Sequence, residues 1–282
     1  MVLGAIYSLM ATGITLVYSI LRVINFSQGE LFTLGGYALY YFSMTLKLPD
    51  VFGLLFVALV GYLCALAIER AIIRDVYKPA LERPSEYALM ATFALSILLQ
   101  NLMLNVFGYT IKTPPAFLVG GLRIMGYTLT WDRILAAVLA SVVYLALYLF
   151  IKTSWTGKIW QAYAQNRTGV SILGAHESRI GMHSFSVAGM LSALTGALIA
   201  PVYSVYPNAG TLPLIIGFVI IVIGGLGSIE GAFIGGLIVG LTQSLVTGFS
   251  SAAYGYASIF LIMIFFLLIR PRGILGEVER IA

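Results

Sequence analysis

Long, uninterrupted apolar runs constrain the fold of this chain more than any other feature. Hydrophobic residues make up 60% of the 282 residues and charged residues only 10%, whereas soluble domains carry roughly 25% charged residues. The runs are continuous rather than alternating, and about 20 apolar residues suffice to cross a bilayer as a helix. Since lipid offers the backbone no hydrogen-bonding partner, only helices or closed barrels can span it. The sequence therefore predicts an all-α polytopic membrane protein.

Nine apolar segments are candidates for membrane spans, which predicts about eight to nine transmembrane helices. Two interruptions are candidates for discontinuous helices, one near residues 25–30 and one near 227–231. The first is equally well explained as a cytoplasmic turn, and both alternatives stay open. With no soluble domain or linker in view, residues 1–282 are expected to form one transmembrane domain. The nine segments are 1–21, 31–46, 51–68, 87–108, 134–151, 183–206, 212–227, 232–249 and 254–269.

Basic residues between the segments predict the orientation of the chain. Loops 69–86 and 152–179 and the C-terminal tail are rich in Lys and Arg, which places all three in the cytoplasm. Two predicted spans lie between loop 69–86 and loop 152–179, and four lie between loop 152–179 and the tail. Both numbers are even, so all three can lie on the same side, with the N-terminus outside and the C-terminus inside. Loop 109–133 must then be external, and its Gly-, Pro- and Thr-rich sequence predicts an ordered excursion. The net charge of +5 therefore reflects orientation rather than nucleic-acid binding.

The largest polar interruption, residues 152–179, is predicted to be an ordered cytoplasmic loop. It contains four Lys or Arg residues and one acid. Its residues Ile159, Trp160, Tyr163 and Ala164 recur at helical spacing, which indicates a helix rather than a flexible tether. A folded basic loop on the cytoplasmic face of a membrane protein is typical of a contact with another protein.

Motifs for catalysis, cofactors and metals are missing from the sequence. The pair Gly157-Lys158 lacks the upstream glycine and the following Ser or Thr of a phosphate-binding loop. The two histidines, His176 and His183, lie outside any zinc-binding pattern and are expected in a solvated loop or at the headgroups. We therefore expect no enzyme, no cofactor and no metal. Transport or channel function remains, with energy supplied from outside the chain.

Five glycines near the C-terminal end of the chain recur at helical spacing. Gly227, Gly231 and Gly235 are four residues apart, as are Gly236 and Gly240. This pattern places small residues on one helix face and is typical of close helix packing in lipid. We therefore interpret these glycines as packing residues rather than as a nucleotide-binding motif.

Polar side chains within the apolar runs are the candidates for a substrate pathway. Polar groups are costly inside a membrane and often mark a route for substrate or ions. The candidates are Asn25, Gln28, Glu30, Asn101 and Gln243. The alternative at each position is structural: an interhelical hydrogen bond for Asn101 or Gln243, and an interfacial turn for the first three.

Several stretches of the chain resemble the membrane permeases of ABC importers for branched-chain amino acids. The matches occur in the order that the family shows and cover nearly the whole chain. They are TLVYSILRVINFSQGELFTLGGYA (15–38), AIERAIIRDVYKPALER (67–83), SILLQN (96–101), AYAQNRTGVSILGA (162–175), VIGGLGSIEGAFIGGLIVG (222–240) and RPRGILG (270–276).

This resemblance implies a multi-pass permease subunit in the cell (inner) membrane that imports branched-chain or other hydrophobic amino acids. It also implies the partners: a second permease subunit, either a copy or a paralogue, two cytoplasmic ATPase subunits and an external substrate-binding protein. Related permeases carry urea or short-chain amides, which is the alternative substrate class. From the residues alone, an ion-coupled secondary transporter with Glu30 as its ion site is a further alternative, and a channel is disfavoured because no filter-like motif is visible.

In the family, the counterpart of loop 152–179 is the coupling segment that docks on the ATPase. Lys158 stands where the family usually has arginine, and Gln161 replaces a common basic residue. We therefore expect shape, carried by Trp160 and Tyr163, to matter more to docking than charge. The residues expected to serve coupling are Gly157, Lys158, Trp160, Tyr163, Asn166, Arg167 and Gly174.

Overall fold

Helices account for almost all of the regular structure, as predicted. The computed structural model describes residues 2–46, 50–74, 83–118, 120–124 and 127–276. A π-helical turn, Glu69–Ile73, extends the third helix, and one small antiparallel sheet pairs β1 (Gly121–Ile124) with β2 (Tyr127–Thr130). The helices in these ranges are α1 (Val2–Leu21), α2 (Gln28–Leu46), α3 (Asp50–Ile68), α4 (Pro84–Phe107), α5 (Trp131–Thr153), α6 (Trp155–Gln165), α7 (Arg167–Ile172), α8 (Glu177–Tyr203), α9 (Thr211–Gly224), α10 (Ile229–Phe249) and α11 (Ala252–Ile269).

Nine helices in the described ranges correspond one for one to the nine predicted segments. Seven are long and apolar enough to cross a membrane, namely α1, α3 with its π-helical turn, α4, α5, α8, α10 and α11. The other two are α2, which carries Gln28 and Glu30 in its first turn, and α9, which has only 14 residues. The largest error in the predicted boundaries is at the start of α8, expected at residue 183 and found at Glu177.

Helices α1 and α8 form the centre of the molecule. Almost every residue of α1 from Gly4 to Val17 is buried, as is most of α8 from Ile180 to Ala200. The two helices run antiparallel, since Gly13 of α1 lies against Ala188 of α8 whereas Leu21, later in α1, lies against Gly181, earlier in α8. Helix α2 packs on α8, and α10 packs on α1. A helix that is hydrophobic on all sides is expected to be buried in this way.

Glycines bring the backbones of the central helices into contact. A Cβ atom at Gly35 of α2 would lie 2.0 Å from the Ala193 carbonyl oxygen of α8. Gly240 of α10 similarly lies directly against Gly4 of α1. Such close approach strengthens van der Waals packing where lipid provides no hydrophobic driving force between helices. The packing role predicted for the glycines of α10 is confirmed.

The interruption near residues 227–231 is a hairpin turn rather than a break within one helix. Helices α9 and α10 are antiparallel, because Gly224 lies against Gly231 and Ile220 lies against Gly235. The turn between them has positive φ at Gly225 (107°), a conformation that glycine adopts without steric cost. The expectation of a discontinuous helix here was wrong, because the chain reverses direction at this glycine.

The excursion between α4 and α5, which was predicted to be external, is ordered in its described residues and adds the only strands found in the described ranges. The Lys112 backbone exchanges hydrogen bonds with Val205, at 2.9 and 2.7 Å. The Lys112 ammonium group lies over the Tyr41 ring, 4.6 Å from its centroid. The Asp132 carboxylate accepts a hydrogen bond from the Leu118 backbone N–H at 2.9 Å. These contacts fasten the excursion to the outer ends of α2, α5 and α8.

Gly35→Ala should lower the thermal stability of the protein, because its Cβ would collide with the Ala193 carbonyl oxygen. Overpacking of this kind costs about 1–3 kcal/mol, or a Tm lower by roughly 5 °C in a chain of this size. The matched control is Gly248→Ala, where a Cβ meets nothing within 4 Å. Thermal melts in detergent test the packing, and equal shifts for the two variants would contradict it.

Candidate functional site

The connection between α1 and α2 runs through the interior of the helix bundle. Residues 22–27 are not helical. The Phe26 ring packs against Phe93 of α4 and Phe218 of α9, with centroid distances of 5.6 and 5.4 Å. The Phe26 N–H donates to Thr92 Oγ1 at 3.3 Å, eight residues or about 12 Å along α4 from its start. The sequence left open whether residues 25–30 form a turn at the membrane surface or a break within the membrane. The structure has the break, inside the helix bundle.

Three candidate pathway residues come together at this break, which we call the α1–α2 break (residues 22–30). Asn25 and Gln28 are 1% and 0% exposed, and Glu30 is 3% exposed. Glu30 Oε1 accepts a hydrogen bond from Ser96 Oγ of α4 at 3.1 Å. Asn25 Nδ2, both amide atoms of Gln28, and Glu30 Oε2 have no partner within the described structure. A buried polar atom without a hydrogen bond lowers the stability of the folded protein. Several such atoms at one place therefore indicate a functional site.

The amino-terminal ends of α2 and α9 meet beside the break. A Cβ at Gly210 would lie 1.8 Å from the Gly29 carbonyl oxygen. The Gly210 N–H donates to Thr33 Oγ1 at 2.9 Å, which fastens the two helix starts together. Helix amino termini carry partial positive charge, so this junction combines two positive helix ends with the carboxyl group of Glu30.

The other two candidate pathway residues lie outside the break. Asn101 is on α4, five residues beyond Ser96; it is exposed, and its Nδ2 donates to the Ile97 carbonyl of its own helix at 2.7 Å. Gln243 is 5% exposed and lies on α10, which packs against α1. The structure thus brings together Asn25, Gln28 and Glu30, places Asn101 on the adjoining helix, and puts Gln243 in a separate contact.

Loop 152–179 folds into two short helices, each with a side-chain cap. Ser154 Oγ accepts the Gly157 N–H at 2.9 Å at the start of α6, and Asn166 Oδ1 accepts the Gly169 N–H at 2.8 Å at the start of α7. Such caps satisfy backbone groups that a helix start leaves unpaired. Gly157 lies within the first turn of α6, and Gly174 follows α7 with φ of +87°. The predicted order of the loop is confirmed.

Trp160 and Tyr163 face the rest of the protein rather than solvent. They are 3% and 4% exposed, and the Trp160 ring packs edge-on against Phe150 of α5 at 5.8 Å. Burial raises the pKa of the Tyr163 phenol, so it stays neutral and can donate to Glu177. Docking through the shape of these two side chains was expected from the sequence. Their burial corrects that expectation, since they anchor α6 to the protein.

The loop is tied directly to the end of α1, next to the break. Arg167 Nη2 donates to the Ile20 carbonyl oxygen at 2.8 Å, and its guanidinium lies over the Tyr163 ring at 5.5 Å. Arg22 Nη2 reaches the Ala164 carbonyl at 3.5 Å. Carbonyls in the last turn of a helix lack intrahelical partners and favour cations. Of the predicted coupling residues, Arg167 therefore has a defined structural contact.

The outward surface of the loop is formed by residues that sequence reasoning missed. Trp155, Ile172 and Leu173 are 79%, 80% and 87% exposed, and Lys158, which was predicted, is also exposed. Large apolar side chains on an exposed surface often mark a protein contact. The sequence did contain a sign of them: they are apolar residues in an otherwise polar segment, and they lie outside the helical stripe that includes Trp160.

Other contacts join the loop's flanks to the α9–α10 turn. Lys152 Nζ pairs with Glu230 at 3.3 Å, and both side chains are about half exposed, as expected for interfacial groups. The C-terminal segment covers the same turn, because Ile274 N–H donates to the Ile223 carbonyl at 2.9 Å. Lys152 at the start of the loop, the α9–α10 turn and residues 270–276 therefore lie at the same end of the molecule. In the ranges that are described, no three His, Cys, Asp or Glu side chains cluster as metal ligands.

A bundle of membrane helices with an internal break, and a capped loop anchored at one end of the bundle, defines a polytopic transport protein. Residues 1–269 match the family model described as "Branched-chain amino acid transport system / permease component". The chain belongs to this family of transport permeases.

Curated relatives from bacteria and an archaeon are similar over almost the entire chain. The high-affinity branched-chain amino acid transport system permease protein LivH of Escherichia coli (strain K12) is 32% identical, over 99% of this chain and 94% of LivH. The corresponding protein BraD of Pseudomonas aeruginosa is 30% identical with the same coverage. The probable permease LivH of Methanocaldococcus jannaschii is 28% identical over 95% of this chain and 88% of its own length. No solved structure matches the chain.

Proposed function

We propose that this chain is a permease subunit of an ABC importer in the cell membrane and moves branched-chain or other hydrophobic amino acids into the cytoplasm. It would act with a second permease subunit, two cytoplasmic ATPases and an external substrate-binding protein. Family membership supports this class of activity. The similarity to permeases named for branched-chain amino acid transport supports the substrate.

The observation that carries the mechanism is the direct link between loop 152–179 and the α1–α2 break. Arg167 of the loop holds the Ile20 carbonyl, and the break begins at Arg22, two residues further on. A displacement of the loop by an ATPase therefore moves the end of α1 and the start of the break. Such a loop can drive transport only if its contacts differ between the two states of the importer. The capped helices and the buried Trp160 make the loop rigid enough to transmit motion.

The chemistry of the break suits a zwitterionic amino acid. Short helices whose amino termini face a cavity stabilise a substrate carboxylate in other transporters, and here the starts of α2 and α9 meet at Gly29 and Gly210. Glu30 offers a carboxyl group for the ammonium end, and Asn25 and Gln28 offer unpaired amides. Because these side chains are buried in this conformation, we infer that they become accessible when the helices around the break separate.

The exposed surface of loop 152–179 is the proposed docking site for an ATPase. Trp155, Ile172 and Leu173 supply its apolar area and Lys158 its charge. Buried aromatic anchors surrounded by polar groups typically dominate such contacts. Gly157, Asn166 and Gly174 act by shaping the loop, and Trp160 and Tyr163 act by fixing it to the membrane domain.

Uptake by the reconstituted complex tests the proposed activity. Proteoliposomes containing this chain, its second permease and the ATPases, with binding protein outside and ATP inside, should accumulate leucine. Excess valine or isoleucine should compete, whereas urea and acetamide should not. Uptake driven by a proton or sodium gradient without ATP would instead identify a secondary transporter.

Gln28→Met should reduce leucine uptake several-fold without lowering Tm. Both amide atoms of Gln28 are buried without a partner, and replacing an unpaired polar group by an apolar one of similar shape is nearly neutral or stabilising. The control is Ser192→Ala, which removes an unpaired buried hydroxyl from the contact between α8 and α1 and should leave uptake unchanged. Normal uptake by the methionine variant would exclude Gln28 from the pathway.

Trp155→Ala and Trp160→Ala should separate docking from anchoring. Trp155 is 79% exposed and Trp160 only 3%, so the first variant should lose ATPase co-purification several-fold at unchanged Tm. The second should lower Tm, since truncating a buried Trp costs about 3–5 kcal/mol. Full ATPase binding by the Trp155 variant would rule out this docking surface.

A further inference from the structure

Helix α4 contacts the rest of the described structure along a single stripe. Its buried residues are Ala88, Thr92, Leu95 and Met103, which share one side of the helix. Its main neighbours are α2 and the π-helical turn after α3. Most of its circumference is therefore free to meet lipid or another protein.

The side of α4 away from this stripe carries two asparagines, together with a small and an apolar residue, at helical spacing. Ala94, Leu98, Asn101 and Asn105 are all exposed. Their separations of four, three and four residues place them on one face, and this spacing is the one by which helices pack against each other. We call this surface the Asn101 face.

Asn101 lies inside the hydrocarbon layer. Helix α4 has 24 residues and is about 36 Å long, compared with about 30 Å for the hydrocarbon core. Asn101 is six residues, or about 9 Å, from its outer end. An amide exposed to lipid at this depth is costly, and such residues normally face the interior of a helix assembly. Within the part of the chain that the structure describes, the Asn101 side chain has one hydrogen bond, from Nδ2 to the Ile97 carbonyl.

Helix α11 shows the contrast expected of a true lipid surface. Its exposed residues include Phe260, Leu261, Ile264, Phe265, Leu267 and Leu268. No Asn or Gln occurs in this helix. The amides of α4 are therefore a property of that helix and not of every exposed surface of the protein.

We propose that the second permease subunit packs on the Asn101 face, so that the passage between the two chains runs along α4. Small Ala94 allows close approach of a partner helix, and Asn101 and Asn105 can hydrogen-bond across the contact. The α1–α2 break lies directly behind α4, because Phe93 contacts Phe26 and Ser96 binds Glu30. The inference rests on the proposed function, which requires a second permease.

Site-specific photo-crosslinking in native membranes tests the contact. A benzophenone amino acid at Leu98 should yield an adduct with the second permease chain, identified by mass spectrometry. The matched control is Leu261 of α11, since Leu98 and Leu261 are 61% and 67% exposed. A Leu98 variant that co-purifies with the second permease but forms adducts only with lipid or an ATPase would overturn the proposal. A permease adduct at Leu261 alone would do the same.

Asn101→Leu provides an independent test that does not depend on the bulky probe. On a lipid-facing helix this change removes a costly amide, so co-purification of the second permease would be unchanged and Tm equal or higher. On the proposed interface, co-purification should fall several-fold while the Tm of the isolated chain is maintained. Unchanged co-purification would overturn the proposal. Failure of the proposed function is a separate result, in which the unmodified chain shows neither ATPase association nor ATP-driven uptake.

Discussion

The inability of lipid to hydrogen-bond the backbone is the constraint on which the rest of this structure depends. Helices satisfy it along most of the chain, because their backbone groups pair within each segment. The non-helical residues 22–27 meet it differently, since Thr92 and Asn25 supply side-chain partners to the backbone of Phe26 and Ser27. An irregular segment can persist at this depth only while protein surrounds it.

Close helix packing makes that enclosure possible. Gly35, Gly196 and Gly210 let α2 touch α8 and α9 through backbone atoms. The result is a rigid centre of α1, α2 and α8, around which α4, α5, α10 and α11 leave broad exposed surfaces. A rigid centre with exposed peripheral helices is suited to a subunit that works in a larger assembly, because the periphery is available for partners and lipid.

Loop 152–179 lies at the end of this centre where α1 ends. Its inner side is fixed by Trp160, Tyr163 and the hydrogen bond from Arg167 to Ile20. Its outer side presents Trp155, Ile172 and Leu173. This division leaves one side of the segment free for the proposed ATPase contact while the other side holds the end of α1.

Local sequence was enough to predict the class, the nine apolar helices, the order of loop 152–179 and the packing role of the α10 glycines, because hydropathy, charge and helical spacing are local properties. Long-range packing determines that residues 25–30 form an internal break and that 227–231 is a hairpin. It also determines which residues of the loop face outward. The helical pattern around Trp160 is compatible with a side that packs on the protein and with a side that binds a partner. Gln28 and Asn101 are both polar residues within apolar runs, so the sequence does not distinguish them. Neighbouring helices distinguish these cases, and which helices are neighbours depends on long-range packing.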